Sequence, residues 1–140
     1  MKYKVLLCED NPADRDLMEA ALRASGLSYK LQIAHNGEEA RALIQSLGTA
    51  ISCPDLILMD LDLPPMDGRQ LIRVLRENRA CAETPIVVLA SSVWPRDEQG
   101  LRRLGVNRCI RKPTNLRDFL EIGEQVRELL EASKRNRWES

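Results

Sequence analysis

Several residue types and patterns are scarce in this chain of 140 residues. Aromatic residues make up only 4% of it, so a folded core has to be built from aliphatic side chains. No apolar stretch approaches the roughly 18 residues of a membrane-spanning helix, and the first apolar run is too short for a signal peptide. Lys+Arg and Asp+Glu both number 21, and this zero net charge argues against a dedicated nucleic-acid binder. The sequence therefore predicts a cytoplasmic protein with no nucleic acid and no membrane as partner.

The cysteines also lack the spacing of a metal site; they are Cys8, Cys53, Cys81 and Cys109. Because no export signal precedes them, we expect all four to be free thiols. A hydrophobic content of 44% is enough for the core of one domain. We assign residues 1–131 to that domain and residues 132–140 to a polar C-terminal tail.

Five short apolar runs alternate with amphipathic stretches. The runs are Tyr3–Cys8, Tyr29–Ala34, Leu56–Met59, Ile86–Ala90 and Val106–Ile110. Nearly continuous apolar runs of this length are typical of strands buried on both faces of a parallel sheet. The segments that follow them have helical periodicity, and the last extends from about Leu116 to Ser133. This alternation predicts an α/β fold with a doubly wound five-stranded parallel sheet flanked by five helices.

Charged residues follow three of the predicted strands, where ligands bind in such sheets. Glu9 and Asp10 follow the first strand, Asp60 ends the third, and Lys112 follows the fifth. Two carboxylates about 4 Å apart repel by roughly 4 kcal/mol at an effective dielectric near 20, so a cluster of three favours a bound cation. Oxygen ligands suit Mg²⁺. An aspartate beside Mg²⁺ and a lysine can attack a phosphoryl donor and hold the acyl phosphate.

These residues, in this order and spacing, resemble the response-regulator receiver domain of two-component signalling. The matching segments are Leu6–Pro12, Met59–Gly68 and Lys112-Pro113, and the similarity extends from residue 3 to about residue 131. The resemblance implies the flavodoxin-like receiver fold with strand order 2-1-3-4-5. No DNA-binding segment follows, so the chain looks like a stand-alone regulator. It is similar to those that partner bacterial phytochromes and hybrid histidine kinases.

The resemblance also implies a role for each matched residue. Asp60 is the phosphoacceptor, and Lys112 pairs with the phosphoryl group. The implied ligands of Mg²⁺ are Asp10, Asp60, the backbone carbonyl of Asp62 and, through a bound water, Glu9. The implied function is that of a response regulator, not a conventional enzyme. It accepts a phosphoryl group from a sensor histidine kinase and signals through protein contacts.

Two positions depart from the family's pattern. The hydroxyl residue expected at the end of the fourth strand is Ala90, and Ser91 can substitute for it only if the loop shifts by one residue. The aromatic position on the fifth strand is Cys109. Phosphorylation is therefore better supported than the usual conformational readout. The family pattern also implies a cis peptide bond before Pro113.

Two other functions fit part of the pattern. The missing hydroxyl and aromatic ring fit an unphosphorylated pseudo-receiver that acts as a binding module. The segment Asp60-Leu61-Asp62 mimics the nucleophile pair of phosphatases of the haloacid dehalogenase type. In those enzymes the motif ends the first strand and is followed within two residues by Thr or Val, whereas here it ends the third and Pro64 holds that place.

The last predicted helix is apolar over about half of its circumference. Its apolar residues are Leu116, Phe119, Leu120, Ile122, Val126, Leu129 and Leu130. A helix that covers one edge of a sheet needs an apolar arc of only about 100°. We therefore expect part of this arc to be exposed and to form a homodimer surface. The alternative is a helix that is packed unusually deeply into the core.

Overall fold

In a computed structural model, the chain forms a sheet with helices on both faces. The structure describes residues 2–91 and 95–139, with the backbone alone for 95–97 and 134–139. The strands are β1 (Tyr3–Cys8), β2 (Tyr29–Ala34), β3 (Leu56–Asp60), β4 (Asp62–Leu63), β5 (Met66–Asp67), β6 (Ile86–Ala90) and β7 (Arg108–Arg111). The helices are α1 (Pro12–Ala24), α2 (Gly37–Ser46), α3 (Gly68–Glu77), α4 (Pro95–Arg103) and α5 (Leu116–Glu139), with a 3₁₀ turn at Arg79–Cys81.

The main sheet is parallel throughout and has the order β2-β1-β3-β6-β7. Strands β4 and β5 form a separate antiparallel hairpin, so the predicted order 2-1-3-4-5 is confirmed. One face of the sheet packs against α1 and α5, and the other packs against α2, α3 and α4. Every residue of β3 and β6 is buried, as expected for central strands covered on both faces. The carboxyl ends of β1, β3 and β7 lie at the same edge.

The N-terminus of α1 follows directly from the local sequence. The Asn11 side chain accepts hydrogen bonds from the N–H groups of Ala13 and Asp14, at 2.9 and 3.2 Å, and Pro12 occupies the first helical position. The helix ends before Gly26, whose φ of 79° lies in the left-handed region. This cap fixes where α1 begins, just after the acidic pair that follows β1.

Two predicted boundaries differ from the structure. Strand β7 begins at Arg108, two residues later than predicted, because Asn107 is bound to the start of β6. Its N–H donates to the Ile86 carbonyl at 2.9 Å, and its side chain accepts from the Ile86 N–H at 3.0 Å. Helix α5 does not end near Ser133 but continues to Glu139, through the segment assigned to a polar tail.

The expectation of four free thiols is wrong for one pair. Cys53 and Cys81 form a disulfide with their Cα atoms 5.8 Å apart, a separation usual for this bond. Cys53 lies in the loop before β3, and Cys81 ends the 3₁₀ turn. A hydrogen bond of 2.8 Å from the Asn78 side chain to the Leu47 carbonyl holds the same two loops together. The fold therefore brings together cysteines 28 residues apart.

The expected exposure of the apolar arc on α5 is limited to a small part of it, because the helix is packed closely against α1. Among the described side chains of α5, the large hydrophobic one that is exposed is Leu116, at 49%. The residues exposed by 1% or less are Phe119, Ile122, Val126 and Leu130. Gly123 allows α5 to pack this deeply because it has no side chain. A Cβ atom there would lie 2.7 Å from the Ala21 carbonyl carbon and nearer still to its oxygen.

Arg76 on α3 joins two loops at the opposite end of the sheet from the acidic residues. Its guanidinium donates to the carbonyls of Leu104 and Gly105, and also to those of Cys81, Ala82 and Thr84, at 2.7–3.2 Å. Burial lowers the pKa of Arg76 from its ordinary value.

In the described part of the chain, no helix combines the length and the apolar character needed to cross a membrane.

Candidate functional site

The predicted acidic residues meet at one edge of the sheet. Glu9 extends β1 by donating its N–H to the Ala34 carbonyl at 3.1 Å, which directs its side chain into the protein, where it is 1% exposed. Asp60 at the end of β3 is 2% exposed, and Asp10 is exposed. One carboxylate oxygen from each of the three lies within 4.8 Å of the others. Arg15 holds the backbone of this acidic pair by donating to the carbonyls of Glu9 and Asp10.

Lys112 lies among these carboxylates. Its N–H donates to the Ala90 carbonyl at 2.7 Å, which keeps the chain alongside β6 beyond the end of β7. Its Nζ atom lies 2.8 Å from Glu9 Oε1 and 2.9 Å from Asp60 Oδ2. A third carboxylate, that of Asp14, lies 2.9 Å away. An ammonium group has three N–H donors, so these three acceptors can engage all of them.

Asp14 was absent from the sequence-based candidates. In the sequence it is one acidic residue in the first turn of a helix, where such residues are common because they complement the helix dipole. The sequence feature that could have pointed to Asp14 is its position one turn after Asp10, in a helix that starts beside the acidic residues. That signal does not tell which side of α1 faces Lys112, because the rotation of the helix is set by its packing against α5.

The pKa directions in this cluster follow from burial and from its hydrogen bonds. Burial, followed by a hydrogen bond with Asp60, raises the pKa of Glu9 to about 8, although the hydrogen bond from Lys112 acts in the opposite direction. Burial alone lowers the pKa of Lys112, but hydrogen bonds to Glu9, Asp60 and Asp14 outweigh it and raise the pKa above its ordinary value. A proton on Glu9 therefore relieves carboxylate repulsion in the protein without a cation.

The same cluster fits a hard divalent cation. All three side chains offer oxygen atoms, and opposite ligands of octahedral Mg²⁺ are about 4.2 Å apart, so oxygens within 4.8 Å need only small shifts. The exposed position of Asp10 leaves one side open to water or to a phosphoryl oxygen. Asp62 lies next to the cluster, where its N–H donates to Asp60 Oδ1 at 2.9 Å and fixes the carboxylate's orientation.

The two positions that depart from the family pattern also lie near this edge. Ala90, 3% exposed, has no side-chain donor. The Ser91 hydroxyl donates to Asp62 Oδ2 at 3.4 Å, which places it beside the loop that follows Asp60. Cys109 is half-buried on β7, opposite Val88. Residues 92–94 lie outside the described residues.

The implied cis bond before Pro113 is wrong. In the described parts of the chain, the cis peptide bond joins Pro64 and Pro65, in the turn between β4 and β5.

A doubly wound sheet with an acidic cluster and a lysine at its carboxyl edge is the arrangement expected of a receiver domain. Comparison with family models confirms this class, because the model described as the response regulator receiver domain matches residues 5–124. The chain belongs to the response regulator receiver domain family.

Several known regulators are similar to the chain over nearly its whole length. The response regulator Rcp1 of Synechocystis sp. (strain ATCC 27184 / PCC 6803 / Kazusa) is 34% identical over 124 residues, which cover 87% of this chain and 84% of Rcp1. The crystal structure of the phosphorylated cyanobacterial phytochrome response regulator RcpA has a TM-score of 0.83 at 32% identity, covering 95% of this chain and 96% of RcpA. The Mn²⁺-bound form of Rcp1 has a TM-score of 0.78 at 32% identity, covering 89% and 91% of the two chains.

Proposed function

We propose that the chain is a response regulator that accepts a phosphoryl group on Asp60 in a Mg²⁺-dependent reaction. The observation that carries the proposal is the placement of this buried carboxylate, 2.9 Å from Lys112 and within 4.8 Å of Glu9 and Asp10. The arrangement combines a nucleophile, a cation site and a positive charge for the phosphoryl oxygens. The protein is at most a catalyst of its own phosphorylation and dephosphorylation.

The phosphoryl donor is a phosphohistidine on a sensor histidine kinase. A carboxylate oxygen of Asp60 attacks the phosphorus atom, the P–N bond breaks, and its electron pair remains on the imidazole nitrogen. Lys112 then donates to a phosphoryl oxygen. Mg²⁺ would be held by Asp10, Asp60, the carbonyl of Asp62 and, through a water, Glu9, and would neutralise charge on the transferred group. The Mn²⁺-bound form of Rcp1 supports a divalent cation in this family.

The likeness to Rcp1 and to the phytochrome response regulator RcpA supports a kinase of the phytochrome or hybrid type as the partner. The proposal places this reaction in the cytoplasm, with no nucleic acid and no membrane involved. Signalling then proceeds through protein contacts. Ala90 offers no hydroxyl and Cys109 no ring, so Ser91 is the proposed substitute donor.

Self-association through α5 is also part of the proposal. It rests on Leu116, whose side chain is 49% exposed, since most of the helix's apolar arc lies in the core. Light scattering of the wild-type protein and of Leu116→Glu, at tens of micromolar, tests it. A dimer that the variant dissociates supports the proposal, whereas a wild-type monomer with and without beryllofluoride contradicts it.

Incubation with acetyl phosphate and Mg²⁺, followed by intact mass measurement, tests the proposed function. We expect wild type and Asp62→Asn to gain one phosphoryl group, and Asp60→Asn or wild type with excess chelator to gain none. Asp62→Asn is the matched control, because it removes one carboxyl two residues away in the same loop. No gain by the wild type would instead support a pseudo-receiver. Turnover of phosphomonoesters would support a phosphatase.

A further inference from the structure

We propose that Asp14 is a positioning residue that holds Lys112 at the phosphorylation site throughout the reaction. The inference rests on the proposed function and deepens it. Asp14 lies outside the group of carboxylates arranged for a metal, which consists of Glu9, Asp10 and Asp60. Its contact is with the ammonium of Lys112, at 2.9 Å.

The three carboxylates around Lys112 are not equivalent during phosphorylation. Phosphorylation of Asp60 removes the negative charge of its carboxylate, because the carboxylate becomes part of a mixed anhydride. A bound cation competes with Lys112 for Glu9, since Glu9 belongs to the cation cluster. Asp14 takes part in neither change. It is the one of these three acceptors that keeps both its charge and its lysine partner in every state.

The structure also fixes Asp14 more firmly than an ordinary surface acid. Its backbone N–H is bonded to the Asn11 side chain at 3.2 Å, in the capped first turn of α1. Its side chain is only 20% exposed, and that of Lys112 only 15%. A carboxylate on a rigid element restricts a lysine, whose four-carbon side chain otherwise samples many rotamers.

Asp14 could alternatively act only through its charge. In that case its removal would ease the approach of an anionic phosphoryl donor, and phosphorylation would be faster. A positioning role predicts the opposite. Without the anchor, the Lys112 ammonium spends less time at the phosphoryl group and the maximal rate falls. The sign of the rate change therefore separates the two roles.

The test measures phosphorylation by acetyl phosphate and Mg²⁺ over a range of donor concentrations. For Asp14→Asn we expect a maximal rate about fivefold below wild type, with the half-saturating donor concentration little changed. Asp14→Glu should recover part of the rate. Asp16→Asn, an exposed neighbour on the same helix, should match wild type. An Asp14→Asn rate equal to or above wild type would overturn the proposal.

A spectroscopic readout tests the position of Lys112 itself. The chain has only five lysines, so ¹⁵N NMR of the ammonium groups can resolve one held in place. In protein treated with Mg²⁺ and beryllofluoride, wild type and Asp16→Asn should show a distinct Lys112 signal, and Asp14→Asn should show it averaged with the surface lysines. A distinct Lys112 signal in Asp14→Asn would contradict the proposal. Asp14→Ser replaces Asp14→Asn if thermal unfolding shows that the latter is not folded.

These outcomes are separable from failure of the proposed function. If wild type gains no phosphoryl group, the proposed function fails. If wild type is phosphorylated on Asp60 but Asp14→Asn behaves like it, the positioning role alone is refuted.

Discussion

Replacement of Gly123 by alanine tests the close packing of α5 against α1. The added Cβ would lie 2.7 Å from the Ala21 carbonyl carbon and nearer to its oxygen. These are backbone atoms, which cannot rotate away, so the two helices have to separate. The interface they would disturb is fully packed, since Met18, Leu22 and Ile122 are each exposed by 1% or less.

The expected size of the effect follows from two opposing contributions. Overpacking of a close-packed core costs about 3 kcal/mol at the upper end of its usual range, while Gly→Ala inside a helix gains about 1 kcal/mol. We therefore expect Gly123→Ala to lower the free energy of unfolding by about 2 kcal/mol. For a domain of this size that corresponds to a fall in Tm of roughly 4–8 °C.

Gly100→Ala is the matched control. Gly100 also lies in a helix, but a Cβ there meets nothing within 4 Å, so only the helical gain of about 0.5–1 kcal/mol remains. Urea unfolding followed by far-UV circular dichroism measures both variants. Opposite signs support the packing described for α5. A Gly123→Ala protein as stable as wild type, or an equal loss in Gly100→Ala, would refute the reasoning.

Three further perturbations should give defined outcomes. Reduction of the Cys53–Cys81 disulfide should lower stability by about 3 kcal/mol, and the double serine variant should be insensitive to reductant. Arg76→Met should lose about 2–3 kcal/mol, because it leaves several carbonyls without their donor, whereas exposed Arg73→Met should lose little; urea unfolding checks both. The pKa of Glu9 is raised to about 8, so calorimetry should show Mg²⁺ affinity rising as the pH increases through that value. Without metal, the contribution of Glu9 to the free energy of unfolding should be complete below about pH 4.5. It should be lost as the pH rises through about 8.

The sequence predicted the sheet well because its central strands are short, nearly continuous apolar runs. Their order then brought Glu9, Asp60 and Lys112 to one edge, where the structure places them. The residue that follows each strand can be read directly from the neighbouring sequence, so this part of the prediction does not depend on contacts between distant segments. This is why the sequence alone predicts the acidic cluster and its lysine.

The features that the sequence did not reveal all depend on distant packing. Spacing alone cannot pair Cys53 with Cys81, because the pairing requires two loops to meet. A helical wheel gives the width of the apolar arc on α5 but not its depth, which Gly123 sets through its contact with Ala21. The contact between Asp14 and Lys112 likewise depends on how α1 is rotated.

The most direct test of the central claim is to locate the phosphoryl group. Protein phosphorylated by acetyl phosphate and Mg²⁺ is treated with borohydride, which reduces an aspartyl phosphate to homoserine, and the peptides are mapped by mass spectrometry. Homoserine at position 60 alone is the result expected from the buried carboxylate between Glu9 and Lys112. Homoserine at position 10 or 62, or a stable phosphate ester on Ser91, would contradict the assignment of Asp60 as the phosphoacceptor.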